Sequence, residues 1–586
     1  MNYPVWFLPE TGGGIFIALI SILHVFVSYF AVGGGLYLIY AEKKGLREQS
    51  QPILDFTKKH ARFFLLVTMV FGSISGVGIW FIIALVNPAA TSLLIHNFVF
   101  GWAAEWVFFT VEIAAAFVYY YTFGKMDSKA HLQVGWLYFI AAWMSLLLIN
   151  GIIGVMLTPG SWSENMDFWA GFFNPSFFPS LVFRTFIALM IAACYGYLSA
   201  AFTADEEVRL AMTRFSAKWA LITLAAAIAA GFWYLSVLPT EPYGLVMGKS
   251  PTIAAVLPWL TSGLLGFLLI MLGAGILRPN RNLKPVASLA MICALLVMGG
   301  FEWTREAARR PYVINEVMYS NSILKKDVEA VNQNGYLRTA LWVQNRDVSE
   351  DNLVEAGREL FEHQCYACHT VGGRNNDIVR ATSSMSYRAL VNYIQKIHEV
   401  RYFMPPFVGT ELESRALAAF IAGGLHGKDV QESQEPAGST GKGLDLFEEN
   451  CSSCHAVEEL TGAFDGLDTT EIIGMLTSLN EISDEMEPFA GSQEQQEQLA
   501  VFLSGGGEQE VQQEVINGKD VFGTHCTVCH GMPDMERKMA GRERKEIFAM
   551  LGKLEQLQRA MPPFRGTPQE REALADYLDS INQGGQ

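Results

Sequence analysis

Cys-x-x-Cys-His occurs three times in this chain, as Cys365/Cys368/His369, Cys451/Cys454/His455 and Cys526/Cys529/His530. Two thiols at this spacing can bond the two vinyl groups of one porphyrin, and the adjoining imidazole is then held against the iron. The pattern is the attachment signature of haem c. Zinc would need further Cys or His ligands downstream, yet six of the eight cysteines are already in the motifs, with Cys194 and Cys293 apart in apolar runs. A redox dithiol has no need of a trailing His three times. Three covalent haems c are therefore expected. A methionine follows each motif: Met404 lies 35 residues after His369, Met486 31 after His455, and Met561 31 after His530. Their settings are "MPPF", "MEPF" and "MPPF". Proline disfavours helix just before it and leaves an extended loop that can lay a thioether over the iron. These three methionines are the expected sixth ligands, with core filling as the plain alternative. Thioether ligation raises the potential relative to a second imidazole, which suits electron acceptance from a mild donor.

A second group of chemistry-bearing residues lies inside apolar stretches, where an ionisable side chain is costly and marks function by default. His24, in "SILHVFVSYF", is either a packing residue or a haem ligand. Glu105 and Glu112 are seven apart in "GWAAEWVFFTVEIAAAF" and share one helix face, as a proton path, a ligand or a structural pair. Arg184 sits at the end of its stretch, placed to snorkel or to bind a haem propionate. Glu302 and Glu306 begin "FEWTREAARRPY", where Arg305, Arg309 and Arg310 offer neutralisation or propionate clamps, against simple interface charge.

The elements that must position these groups divide the chain in two. Of 586 residues 51% are hydrophobic and only 17% charged, which excludes disorder and argues against a fully soluble chain. Residues 1–312 carry a net charge of +4 and residues 313–586 one of −20, so the soluble half would repel nucleic acid. Apolar stretches long enough to cross about 30 Å of hydrocarbon recur eight times, near 14–40, 62–86, 99–122, 133–157, 179–202, 217–238, 253–277 and 285–303. Alternate loops are basic, from Lys43 to Lys59, Lys125 to Lys129, Arg209 to Lys218 and Arg278 to Lys284. Those loops are expected in the cytoplasm, which puts both ends of the bundle outside. No cleavable leader is evident before residue 14, so the first span is expected to insert by itself. The expected fold is all-α: a polytopic membrane bundle over 1–312, a polar linker over 313–350, and three small cytochrome c domains over 351–426, 441–504 and 511–583. Gly, Ser, Glu and Pro in 427–443 and "SGGGEQE" at 504–510 read as hinges.

The membrane half resembles subunit I of the cytochrome bd oxidase family. The matching pieces are "ILHVFVSYFAVGGGLYLIYAEKK", "FGWAAEWVFFTVEIA", "NPSFFPSLVFRTF" and "FEWTREAARRPYVINEVMYSNS", together about residues 10–325. The last looks like the family's Glu-x-Gly-Arg-Gln-Pro-Trp segment, here Glu306-Ala-Ala-Arg309-Arg-Pro311-Tyr312. The resemblance implies a site of about two non-covalent haems, b or d, near the outer face, with His24 and Glu306 as axial ligands. It also implies that Glu105 and Glu112 deliver protons or ligate haem, although the family spaces these acids eight apart. It implies a bacterial cytoplasmic membrane and a second membrane subunit of the same type.

The departures point away from quinol. Arg184 stands where the family has the histidine of its low-spin haem. Ser262 is near the place of the partner methionine, and Met271 is too deep. The quinol loop has shrunk to about 239–252, and a ninth span is absent. The reading that follows is a cytochrome c-dependent terminal oxidase: an external and basic cytochrome c donates to three haems c, and the membrane site reduces oxygen. Alternatives are nitric oxide reduction at the same site, a non-catalytic electron conduit, or a redox sensor, for which no output domain is seen.

Overall fold

In lipid a backbone can satisfy its polar groups locally only as helix, so each long apolar stretch is committed to that form. The computed structural model of the chain has eight helices long and apolar enough to span: Gly14–Arg47, Gln51–Val86, Val99–Thr122, Ser128–Gly154, Phe177–Ala201, Glu206–Ser236, Pro251–Leu277 and Lys284–Ala307. Each overlaps one expected stretch. The helices outrun the apolar residues at their charged ends, because caps rather than lipid set those ends. Asp205, for example, accepts from the Val208 amide at 3.0 Å and starts the sixth span. The structure describes residues 5–583 apart from 384, 431–438, 453–454, 456–459, 461–463, 465–466, 480–485, 487, 505–517, 519–520, 523–541, 543, 552 and 554–567. Among the described residues the one sheet is a hairpin of Tyr312–Ile314 and Met318–Tyr319, so the protein is an all-α membrane bundle with a helical C-terminal region.

Two compact units form, Met1–Leu460 and Thr461–Gln586, and their boundary falls inside the segment 441–504 expected as one domain. In the first unit the fifth span is the most enclosed, with 78% of its apolar window buried against 11–39% for the other seven. Membrane helices gain little from hydrophobic burial against one another and associate by close packing of small residues. Gly33 shows how close: a β-carbon there would lie 2.1 Å from the Ala188 carbonyl oxygen, so the first and fifth spans touch backbone to backbone.

The 313–350 stretch, expected as a linker, is packed against the bundle. Ile314 and Met318 are buried with Leu94, Phe98 and Ile152. The Asn315 amide donates to the Met156 carbonyl at 2.8 Å, and the Ser322 hydroxyl donates to Asn87 at 3.2 Å. The polar average of this stretch concealed Val313, Ile314, Val317 and Met318, which a hairpin gathers beside the membrane helices. Beyond it, helix Leu353–Gln364 crosses helix Glu411–Ala419, and at the crossing a β-carbon on Gly357 would meet the Ala416 carbonyl oxygen at 1.9 Å. The second unit repeats this: a β-carbon on Gly518 would meet the carbonyl oxygen of Ala573, within helix Pro568–Gln583, at 1.9 Å. Gly357 precedes Cys365 by eight residues and Gly518 precedes Cys526 by eight, so the crossing has the same place in both repeats.

Candidate haem sites

The first cytochrome segment shows how local sequence prepares a haem ligand. Helix Leu353–Gln364 ends at Cys365, and a turn brings the His369 amide to the Cys365 carbonyl at 2.9 Å. His369 Nδ1 lies 3.1 Å from the Asn376 carbonyl oxygen. A carbonyl can only accept, so Nδ1 carries the hydrogen and Nε2 keeps the lone pair that iron requires. Burial, reinforced by the Arg310 charge, holds this imidazole below its ordinary pKa and therefore neutral. Across the segment the Met404 loop is fixed at several points. His398 Nδ1 donates to the Met404 carbonyl at 2.7 Å, and Gln364 clamps Val408, donating to its carbonyl at 2.7 Å and accepting from its amide at 3.1 Å. Cys365, Cys368, His369 and Met404 thus fit a covalent haem. Among the described residues no group of three or more His, Cys, Asp or Glu side chains could hold a bare metal ion.

The second motif begins with the same turn: the Cys451 amide donates to the Phe447 carbonyl at 2.7 Å, and the His455 amide to the Cys451 carbonyl at 3.0 Å. Met486 is half-buried. Cys454, Cys526, Cys529, His530 and Met561 lie outside the described residues.

In the membrane bundle His24 packs on the second span. Ser75 has one hydroxyl hydrogen, which it donates to the Phe71 carbonyl at 2.8 Å, so at 3.1 Å from His24 Nδ1 it accepts. With Nδ1 as the donor to Ser75, Nε2 would carry the lone pair that a haem iron requires. Glu112 is buried and accepts from the Tyr138 hydroxyl at 3.0 Å, while Glu105 is half-buried.

The last turns of the eighth span hold a charged cluster. Buried Glu302 accepts from Arg184 at 3.1 Å and Arg305 at 2.9 Å, and Arg184 also reaches the Tyr29 hydroxyl at 2.6 Å. Arg184 is therefore enclosed and ion-paired, not snorkelling. One turn on, Glu306 has a 43% exposed side chain and pairs with Arg305 at 2.7 Å and with Arg309. Arg309 is buried, touches the Met156 sulfur at 3.1 Å, and keeps its Nε without a partner among the described residues. Among the described residues no hydrogen bond joins His24 to Glu306. A further buried cluster, absent from the sequence reading, lies at the opposite ends of the helices: Glu42 meets His131 at 2.8 Å and the Tyr119 hydroxyl at 2.7 Å.

Comparison with known proteins bears chiefly on the cytochrome segments. The family described as cytochrome c oxidase, cbb3-type, subunit III matches residues 352–421 and 513–578, the first and third segments. No curated protein matches the chain. One solved structure, the bd oxidase from Geobacillus thermodenitrificans, aligns with 51% of this chain and 87% of its own at 15% identity and a TM-score of 0.46, a likeness too slight to carry an argument. Eight apolar helices and cytochrome c-type segments make this chain a membrane-bound haem protein of electron transfer.

Proposed function

We propose that the protein is a cytochrome c-dependent terminal oxidase: three haems c, held by the three Cys-x-x-Cys-His motifs with Met404, Met486 and Met561, pass electrons to a membrane haem site that reduces oxygen. The observation that carries this reading is a contact between the end of the bundle and the first cytochrome segment. Arg310 Nη1 lies 3.3 Å from Cys368 Sγ, and the preceding residue, Arg309, pairs with Glu306. The first haem-attachment loop thereby meets the end of the eighth span where the bd resemblance puts its haem pair. When bound, the haems supply one-electron storage and the place where oxygen is reduced. Four electrons and four protons are consumed for each oxygen converted to two waters.

The chain's own residues have the following parts. His24 and Glu306 would hold the iron of the membrane haem site. Arg184, Arg305 and Arg309 face only Glu302 and Glu306, leaving one positive charge in excess where the dielectric is low. A haem propionate would neutralise it, and the open Nε of Arg309 is a donor suited to that group. Tyr138 holds the Glu112 carboxyl in place as a proton donor toward Glu105. The bacterial cytoplasmic membrane, an outward-facing C-terminal half and a second subunit of the bd type complete the proposal.

Oxygen uptake by the purified protein with reduced cytochrome c, with quinol, and with nitric oxide replacing oxygen tests it. The expected result is fast turnover with cytochrome c and oxygen alone. Robust uptake with quinol that survives Cys365→Ala with Cys368→Ala would overturn it. His24→Ala and Glu306→Ala are each expected to remove non-covalent haem from the pyridine haemochrome spectrum while the haems c stay reducible.

A further inference from the structure

The N-terminal segment before the first span has no part in the haem chemistry described above, yet it is the segment most closely fitted to the first haem-attachment loop. Phe7 stacks on Tyr366, inside the first motif, with ring centroids 3.8 Å apart and planes 15° from parallel. The Arg374 amide donates to the Glu10 carbonyl at 2.7 Å, and the Asn375 side chain donates to the Thr11 carbonyl at 3.4 Å. A β-carbon on Gly373 would fall 2.3 Å from the Pro9 carbonyl oxygen, so the two backbones are in direct contact. Arg310, from the end of the eighth span, closes the other side against Cys368.

We propose that Phe7–Gly12 and Arg310 form a seat that fixes the first haem c on the membrane bundle, making it the haem that delivers electrons to the membrane, with the second haem upstream. Electron tunnelling falls steeply with distance, so a donor haem must be held close and still, which a stacked ring and paired backbones accomplish. The order follows from a second set of contacts. Helix Ser439–Asn450, which leads into the second motif, is tied to the first cytochrome segment: Arg388 pairs with Asp445 and, at 3.2 Å, with Glu449, and Ser386 donates to Glu448 at 2.8 Å. The second attachment motif therefore starts from a helix fixed to the first cytochrome segment. This proposal rests on the reading of the bundle as an electron acceptor, and its test separates the two.

Hydrogen exchange over residues 366–375 of the full-length holoprotein is read in wild type and Phe7→Ala. Loss of the stack is expected to speed exchange about ten-fold. Electron transfer from the haems c to the membrane haem is followed by stopped flow, with an expected slowing of about ten-fold while reduction by external cytochrome c is unchanged. Unchanged exchange overturns the seat. Faster exchange with unchanged internal transfer overturns the entry role. A wild-type bundle that takes no electrons at all overturns the entry role together with the proposed function, while exchange still decides the seat. Where Phe7→Ala fails to fold, Arg310→Gln is used. Removing the cation beside the haem edge is expected to lower the first haem's potential, and Arg310→Lys to restore it. A potential unmoved by either substitution counts against the seat.

Discussion

Glu302 is a carboxylate enclosed by the membrane bundle, held by Arg184, Arg305 and Tyr29. Arg184→Leu removes one charge-assisted hydrogen bond from Glu302, which keeps Arg305, and is expected to lower the stability of the first unit by about 1.5–3 kcal/mol, read from its unfolding midpoint in detergent. Arg184→Lys should cost less. His24 depends on its neighbour in a different way, since Ser75 fixes its tautomer. Ser75→Ala is expected to weaken retention of membrane haem by roughly ten- to a hundred-fold, measured by haem transfer to an apo-acceptor. The haem c motifs were legible in the sequence because covalent attachment demands its residues within five positions. The pair Arg184–Glu302 was not, because 118 residues separate its members and nothing local marks their meeting. Glu42 escaped notice because "AEKK" reads as a solvated helix end, whereas its partner His131 lies 89 residues away.

The spans were legible because lipid tolerates few alternatives, and all eight stand where apolar runs put them. The short hairpin at 312–319 was not, since its strands of three and two residues offer no period to detect. Helix crossings are likewise invisible in one sequence until the glycines are seen against a carbonyl. Gly357→Ala would ordinarily favour a helix by about 1 kcal/mol. Here the added carbon meets the Ala416 carbonyl, so an overpacking cost of about 1–3 kcal/mol should dominate. The expected outcome is loss of axial coordination at the first haem c at a lower temperature, followed in the Soret band, with the other two unaffected. Gly518→Ala should do the same to the third alone.

Over the whole molecule charge is distributed by half, with −20 on residues 313–586. Acids are dense near the proposed ligand Met486, in Asp484-Glu485-Met486-Glu487. Opposite charge speeds encounter, and the effect fades as salt shortens the Debye length, about 10 Å at 0.1 M. A basic cytochrome c should reduce the protein fastest at low ionic strength and an acidic one slowly throughout, in stopped-flow traces across a salt series. Equal, flat rates would mean that the charge serves solubility alone.

Glu413 carries one more consequence. Its buried carboxylate accepts from the amides of Tyr336, Leu337 and Thr410, each at 2.8 Å, so one side chain caps a cytochrome helix and grips the segment leading from the bundle. A domain held in this way cannot swing on a tether between donor and acceptor. Its electron hand-over should be blind to solvent friction: adding sucrose to raise viscosity several-fold would slow a diffusing shuttle in proportion, but is expected to leave the internal transfer rate of this protein unchanged.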